Sequence, residues 1–170
     1  MNQPLSHRMT LVVLAFSALL LCAGRTQATE ISGTISTTLT IFDDSELVGD
    51  VTCMVAGAPC IAFGTSDIKL RLNGFTITEN TPGCTPGTSS QDGIDIVGLH
   101  DVAILGPGLV QKFGGFGIFV QGARIKVEGV TASDNCFSGI ILVRTTDSDI
   151  ERNVSVRNSI GSEGAPCGGT

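Results

Sequence analysis

Hydrophobic and polar residues alternate with a period of two over much of this chain beyond its first 28 residues. In residues 94–96, 118–120 and 140–142, two apolar side chains flank one residue that points the other way. This alternation predicts short β-strands with one buried side. No stretch beyond residue 28 shows the 3.6-residue period of an amphipathic helix, so the chain is predicted to be all-β.

Short motifs recur along the chain in the same order, which indicates an internal repeat. A small residue followed by isoleucine occurs at intervals of 33, 24 and 22 residues: Cys60-Ile61, Gly93-Ile94, Gly117-Ile118 and Gly139-Ile140. A second motif follows each of these: Asp67-Ile68, Asp101-Val102, Arg124-Ile125 and Asp149-Ile150. A third follows again: Gly74-Phe75, Gly108-Leu109, Gly129-Val130 and Asn153-Val154. Each repeat therefore predicts three short strands separated by turns.

Stacking explains why such repeats exist. A repeat of this length cannot bury its own apolar side, but strands of successive repeats can pair about 4.8 Å apart and enclose a shared core. The inward positions would be Ile94, Ile96, Ile118, Val120, Ile140 and Leu142 in the first strand, with Val102, Ile104, Ile125, Val127 and Ile150 in the second. Asn80, Asn135 and Asn158 follow the third strand at similar distances and predict an asparagine ladder inside a turn.

Three stretches carry a resemblance to a known fold: DIKLRLNGFTI (67–77), GIFVQGARIKVEGVTASDN (117–135) and GIILVRTTDSDIERNVSV (139–156). They resemble the right-handed parallel β-helix superfamily, the pectin-lyase-like fold, over roughly residues 46 to 160. The resemblance implies a solenoid of about four to five coils. It indicates fold more than function, because this fold hosts lyases, hydrolases, epimerases and non-catalytic surface proteins.

The first 28 residues predict a cleaved signal peptide. Arg8 precedes an apolar run from Leu11 to Ala23, and small residues then lead to Ala28. The run is shorter than the roughly 20 apolar residues of a membrane-spanning helix. No second apolar span follows, so we expect an exported protein, periplasmic or extracellular, without a transmembrane span.

The rest of the chain is expected to divide into two regions. Residues 29–52 predict an N-terminal strand region that forms about half a coil. Residues 53–170 predict the repeats, with a surface loop at residues 80–91 and an uncapped C-terminal tail. Solenoids normally end in capping units, so further downstream coils or a partner would have to cover this end.

Composition and charge narrow the function classes. Hydrophobic residues make up 42% of the chain and charged residues only 15%, with 22 glycines, which excludes a disordered chain or a coiled coil. The net charge of −6 becomes −8 once the leader removes Arg8 and Arg25 without any acidic residue. A chain this acidic repels phosphates, so no nucleic-acid partner is expected.

Cysteine usage fits an oxidising compartment. Five cysteines remain after the leader, and none forms a Cys-x-x-Cys pair. We expect one or two disulfides with one thiol left over. Cys53 and Cys60 close a short loop and are the first-choice pair.

Outward positions on the strands supply the candidate chemistry. In the first strand these are Ala62, Asp95, Phe119 and Ile141, and in the second they are Lys69, Ala103, Lys126 and Glu151, then Arg71, Leu105 and Glu128. Phe119 and Ile141 could stack on a sugar ring or be covered by a loop. Lys69 and Lys126, with Asp95, are weak catalytic candidates, because a lysine can abstract the proton beside a uronic-acid carboxylate. The alternative is that the lysines form surface ion pairs, for example Lys126 with Glu151.

Calcium is the only cofactor with a candidate site. Asp92, Asp95 and Asp101 could supply carboxylate ligands to Ca²⁺. Alternatively, Asp92 and Asp101 bond the backbone of their own turns. No other cofactor is expected.

The motifs favour binding over catalysis. Arg124-Ile125-Lys126 matches one motif of the β-helix polygalacturonases, but the other motifs of that family are missing. We therefore expect a non-catalytic extracytoplasmic module that binds a polysaccharide or a protein. The alternative is a lyase or hydrolase of acidic polysaccharides that acts through Asp92, Asp95, Lys69 and Lys126.

Overall fold

The computed structural model describes residues 27–80 and 91–159, and every regular element in these ranges is a β-strand. The strands are β1 (Thr29–Ile35), β2 (Leu39–Ile41), β3 (Ser45–Cys53), β4 (Ile61–Phe63), β5 (Lys69–Arg71), β6 (Thr76–Glu79), β7 (Ile94–His100), β8 (Ala103–Gln111), β9 (Ile118–Ala123), β10 (Lys126–Ser133), β11 (Ile140–Leu142), β12 (Asp149–Glu151) and β13 (Val154–Val156). Within these ranges no helix is long and apolar enough to cross a membrane.

Two sheets contain all thirteen strands. The smaller has five strands in the order β11-β9-β7-β4-β2, and the larger runs β1-β3-β5-β8-β10-β12, with β6 and β13 paired onto β3, β8 and β10. Every strand pair is parallel. Each strand pairs with strands of neighbouring repeats and not with its neighbour in sequence. The predicted all-β architecture with parallel strands is therefore confirmed.

The smaller sheet has the register that the repeat predicts. Ile94 pairs with Ile61 on one side and with Ile118 on the other, and Ile118 pairs in turn with Ile140. Ile61, Ile94 and Ile118 are fully buried. The outward column of Ala62, Asp95, Phe119 and Ile141 is also in register. Alternation along each strand thus sends isoleucine into the core and leaves these four side chains on the outer face.

In the larger sheet, the predicted alignment of Asp149-Ile150 with Arg124-Ile125 is wrong by two residues. Ile150 pairs with Val127, while the Ile125 amide donates to the Ser148 hydroxyl at 2.9 Å. The turn geometry sets this alignment, because the equivalent turn residues share a left-handed conformation. These residues are Asp67 (φ 64°), Asp101 (φ 55°), Arg124 (φ 53°) and Asp147 (φ 51°).

The core narrows toward the last described repeat. One inward column of the larger sheet runs in register through Val51, Ile77, Val110, Ala132 and Ser155. The first four are fully buried, whereas Ser155 is exposed. The inward residues Leu142 and Ile150 of the last repeat are also 42% and 37% exposed. The predicted surface loop, except Asn80 and Gln91, and the last eleven residues of the tail lie outside the described residues, as do residues 1–26 of the predicted leader.

Two disulfides involve described cysteines. Cys53 and Cys60 are bonded to each other, with their Cα atoms 5.8 Å apart. This is the pair that the sequence favours. Cys136 is also disulfide-bonded. Because Cys53 and Cys60 are fully buried, their bridge ties the end of β3 to the start of β4 inside the core.

The asparagine ladder has two rungs among the described residues. Asn158 Oδ1 accepts from both the main-chain and side-chain nitrogens of Asn135, each at 3.0 Å. Asn135 is fully buried, and its own Oδ1 accepts from the Phe113 amide at 3.1 Å. Phe113 holds the equivalent position in the repeat between Asn80 and Asn135 and interrupts the predicted ladder. The Asn80 side chain is exposed.

We expect Asn135→Ala to lower the free energy of unfolding by about 1–3 kcal/mol, because the truncation leaves the buried Phe113 amide and its neighbours without partners. Asn80→Ala makes the same chemical change at an exposed position and should stay within about 0.5 kcal/mol of the parent. Urea denaturation of the three proteins measures both changes. Equal effects of the two substitutions would contradict the ladder.

Candidate functional site

Two four-residue frames lie side by side in the smaller sheet. Asp92-Gly93-Ile94-Asp95 and Phe116-Gly117-Ile118-Phe119 share a Gly-Ile centre. Asp95 pairs with Phe119, and the Gly93 amide donates to the Phe116 carbonyl at 2.9 Å. Each aspartate therefore lies beside one phenylalanine, at the strand spacing of about 4.8 Å.

The Gly-Ile centre explains why the flanking side chains gather on the surface. Ile94 and Ile118 point inward and are fully buried. A Cβ atom on Gly93 would lie 2.5 Å from the Gly117 carbonyl oxygen, so only glycine fits between the two repeats. In each frame the isoleucine is buried in the core and the glycine allows close approach of the next repeat. The residues before and after this Gly-Ile centre lie on the outer face.

Asp92 and Asp95, here called the carboxyl pair, share a hydrogen bond. Asp92 Oδ1 also accepts from the Phe116 amide at 2.7 Å. Burial and, after it, the negative charge of Asp92 raise the pKa of Asp95 to about 7, and burial raises the pKa of Asp92. Two touching carboxyls cannot both ionise cheaply, so near neutral pH the pair tends to hold one proton.

The carboxyl pair has no cationic partner among the described residues: no lysine, arginine or histidine there forms an ion pair with Asp92 or Asp95. Asp95 Oδ1 is buried, and no described residue donates a hydrogen bond to it. The neighbouring Gln91 is 4% exposed, and its side-chain nitrogen is buried without an acceptor. The site thus contains polar groups whose bonding capacity the described residues do not fill.

Three phenylalanines form an aromatic cluster beside the carboxyl pair. The ring of Phe116 lies 5.9 Å from that of Phe119 and 5.5 Å from that of Phe137, measured between ring centroids. All three side chains are half-buried. We call these residues the Phe patch. The sequence identifies Phe119 as an outward residue but does not identify Phe116 or Phe137, although the shared Gly-Ile frame is a signal that places Phe116 next to Asp92.

Asp101 does not join the other two calcium candidates. Ligand atoms of Asp92, Asp95 and Asp101 do not all lie within 4.8 Å of one another. Its carboxylate accepts from Arg124 Nε at 2.8 Å and lies 2.8 Å from His100 Nδ1. These two bonds, with Arg124 the stronger, lower the pKa of Asp101 to about 2.

Asp101 lies close to two other residues of types that can bind a metal, Asp67 and His100. Asp67, His100 and Asp101 place ligand atoms within 4.8 Å of one another, and all three are exposed. The Asp101 carboxylate is already held by Arg124. The cluster is therefore an exposed group of side chains in which Arg124 already binds one of the three ligand-type residues.

Lys69 and Lys126 lie on the larger sheet and not beside Asp95. Lys69 pairs with Asp44 at 2.7 Å, and Lys126 pairs with Glu128 at 2.6 Å. The expected pair of Lys126 with Glu151 is wrong, because Glu151 stands opposite Glu128 in the register while Asp149 stands opposite Lys126. The three catalytic candidates are therefore not brought together.

An open groove of about 440 Å³ lies on the larger sheet. Leu105 and Pro107 line it, with Arg71 and Arg152 among its other residues. Arg152 contacts Glu128, which also lines the groove. The groove therefore holds charges of both signs and is distinct from the carboxyl pair.

Comparison of the chain with family models, curated proteins and solved structures finds no match. The function is therefore inferred from the carboxyl pair and the Phe patch. These two features combine apolar ring surface with hydrogen-bonding groups, as small-molecule binding sites do.

We expect Asp95→Asn to change the pH dependence of stability. Between about pH 4 and pH 7 the unfolded carboxyl ionises while the folded one keeps its proton, so ionisation favours the unfolded state and wild-type stability falls as the pH rises. The variant lacks this loss. Relative to the wild type, its free energy of unfolding should rise with pH up to about pH 7 and stay constant above it. The total relative gain should be about 1–2 kcal/mol, because solvent screens part of the effect.

Asp101→Asn provides a control of opposite sign. Because its folded pKa is about 2, the carboxylate stabilises the fold above about pH 4, and this contribution is lost as the pH falls toward 2. The Asp101 variant should be less stable than the wild type at neutral pH and equal to it near pH 2. A pH-independent difference between Asp95→Asn and the wild type would contradict the shared proton.

Proposed function

We propose that this chain is an exported right-handed parallel β-helix module with a pectin-lyase-like fold. The pairing of each strand with its equivalents in neighbouring repeats supports the β-helix, since a solenoid is the simplest path that stacks parallel strands this way. The apolar leader and the disulfides support export to the periplasm or the cell exterior.

We further propose that the module binds a polysaccharide on the outer face of the smaller sheet without cleaving it. One observation carries this proposal: half-buried phenyl rings, 5.9 Å apart, stand beside two carboxyl groups in strand register. A sugar ring presents C–H surface that packs on aromatic rings and hydroxyl groups that donate to carboxylates. The site offers both in adjacent columns.

The carboxyl geometry favours binding over hydrolysis. Glycosidases hold their two carboxyl groups about 5–5.5 Å or 6.5–9.5 Å apart, so that the scissile bond or a water fits between them. Asp92 and Asp95 instead contact each other through a hydrogen bond. A lyase needs a free base, and both lysine candidates are ion-paired on the other sheet.

A hydrolase is the second candidate, and one observation favours it. With a pKa of about 7, Asp95 retains its proton near neutral pH, as a general acid must. This alternative predicts that the protein releases reducing ends from a polysaccharide panel and that Asp95→Asn abolishes the release. Absence of release across the panel, in the presence and absence of Ca²⁺, would exclude it.

We expect Phe119→Ala to weaken oligosaccharide binding by about 5- to 150-fold, because loss of one aromatic contact at a binding centre costs about 1–3 kcal/mol. Binding is measured by glycan array and then by calorimetry on the ligands found. Phe42→Ala is the matched control, because Phe42 is 67% exposed and lies outside the Phe patch. Its affinity should stay within twofold of the wild type.

Two results would contradict the proposal. If no glycan on the array binds the folded protein, the carbohydrate function is wrong. If Phe119→Ala and Phe42→Ala bind equally well, the Phe patch is not the binding face.

A further inference from the structure

The carboxyl pair and the Phe patch together favour a positively charged ligand. We propose that this site binds a protonated amine carried on a sugar ring, so that amino sugars are the favoured residues of its polysaccharide ligand. This inference rests on the proposed function, because it names the ligand class of the same site.

The first support is unfilled bonding capacity. Neither Asp92 nor Asp95 has a cationic partner among the residues that the structure describes. Both carboxyl side chains are partly exposed, so a ligand on the outer face can reach them. An ammonium group supplies three donors and a positive charge, and so satisfies both carboxyl groups at once. A ligand amine can therefore take the place of the proton that the carboxyl pair shares in its absence.

The second support is the position of the rings. A cation is attracted to a phenyl face within about 6 Å of its centre. Phe119 is the register neighbour of Asp95, and Phe116 is hydrogen-bonded through its amide to Asp92. An amine bound at the carboxyl pair therefore lies about one strand spacing, roughly 4.8 Å, from the phenylalanine column. The carbon ring that carries the amine extends over the Phe patch.

The third support is discrimination against acidic sugars. The residues in register with Asp95 are Ala62 and Phe119, and Ile141 lies beyond Phe119. None of these carries a positive charge. A uronic-acid carboxylate at this position would face the carboxyl pair with no cation to bind it, in a chain whose net charge is already −6. Acidic polysaccharides are therefore disfavoured at this face, and cationic ones are favoured.

The test compares three oligosaccharides of equal length by calorimetry at about pH 6: a glucosamine hexamer, its fully N-acetylated counterpart and a galacturonate hexamer. The full exported chain is used, with Asp92→Asn, Asp95→Asn and the surface control Asp147→Asn. Wild type should bind the glucosamine hexamer at least tenfold more tightly than the other two. Asp92→Asn and Asp95→Asn should remove that preference, whereas Asp147→Asn should change affinity by less than twofold.

Proton release provides a second readout. Titration in two buffers of different ionisation enthalpy should show that wild type releases protons when the glucosamine hexamer binds, because the amine displaces the shared proton. Asp95→Asn should release none. Thermal melting verifies that each variant is folded, and the aspartate-to-asparagine changes keep the side-chain shape.

The outcomes separate the two proposals. Amine preference that depends on Asp92 and Asp95 supports the inference. Binding that depends on Phe119 but shows no amine preference overturns the inference and leaves the carbohydrate function standing. Equal amine preference in wild type and Asp95→Asn also overturns it. Failure of all three hexamers to bind overturns the inference, and failure across the wider glycan array overturns the proposed function as well.

Discussion

In-register parallel pairing is the constraint on which the rest of this molecule depends. Because each strand pairs with its equivalents about 4.8 Å away, a residue has the matching residues of the adjacent repeats as its nearest neighbours. Isoleucine therefore stacks on isoleucine through Ile94 and Ile118, and asparagine on asparagine through Asn135 and Asn158. Equivalent residues of successive repeats thus form a column, and the neighbours of each side chain are set by its column.

Columns of charged residues show what this constraint demands. Like charges one strand spacing apart repel, and the turn columns largely avoid this. Arg124 lies next to Asp101, and Arg157 lies next to Asp134 with an N–O distance of 2.7 Å. The carboxyl pair departs from this pattern, because Asp92 and Asp95 lie together in one repeat and meet phenyl rings in the next. Such a local departure from charge pairing is a reason to look for a ligand there.

The sequence predicts the smaller sheet better than its neighbouring turns. Period-two alternation suffices to place Asp95 and Phe119 on the outer face, because strand geometry fixes side-chain direction. Turns have no such period. Phe116 and Phe137 precede their strands, and their contribution to the site follows from the stacking of repeats. In the same way, Phe113 occupies the ladder position of the intervening repeat and separates Asn80 from Asn135.

The larger sheet shows a second limit. The last repeat lacks an apolar residue at the place of Ile125, where Ser148 stands, so matching by hydrophobicity shifts the alignment to Ile150. Backbone conformation identifies the correct equivalent, because Asp147 shares the positive φ of Asp101 and Arg124. Cross-strand neighbours depend on that alignment, so Glu151 lies opposite Glu128, and Lys126 pairs instead with Glu128 of its own strand.

The core column becomes smaller and more polar from Ile77 through Ala132 to Ser155, so the described repeats are not equally well supported. Each repeat shields the previous one, but the last described repeat returns less apolar contact than it receives. Among the described strands, β11, β12 and β13 therefore have the least apolar support, whereas the fully buried Cys53–Cys60 bridge ties β3 to β4 inside the core. Strand β9 separates β7 and its carboxyl pair from β11, so loosening of the last described repeat would reach Phe137 before it reaches Asp95.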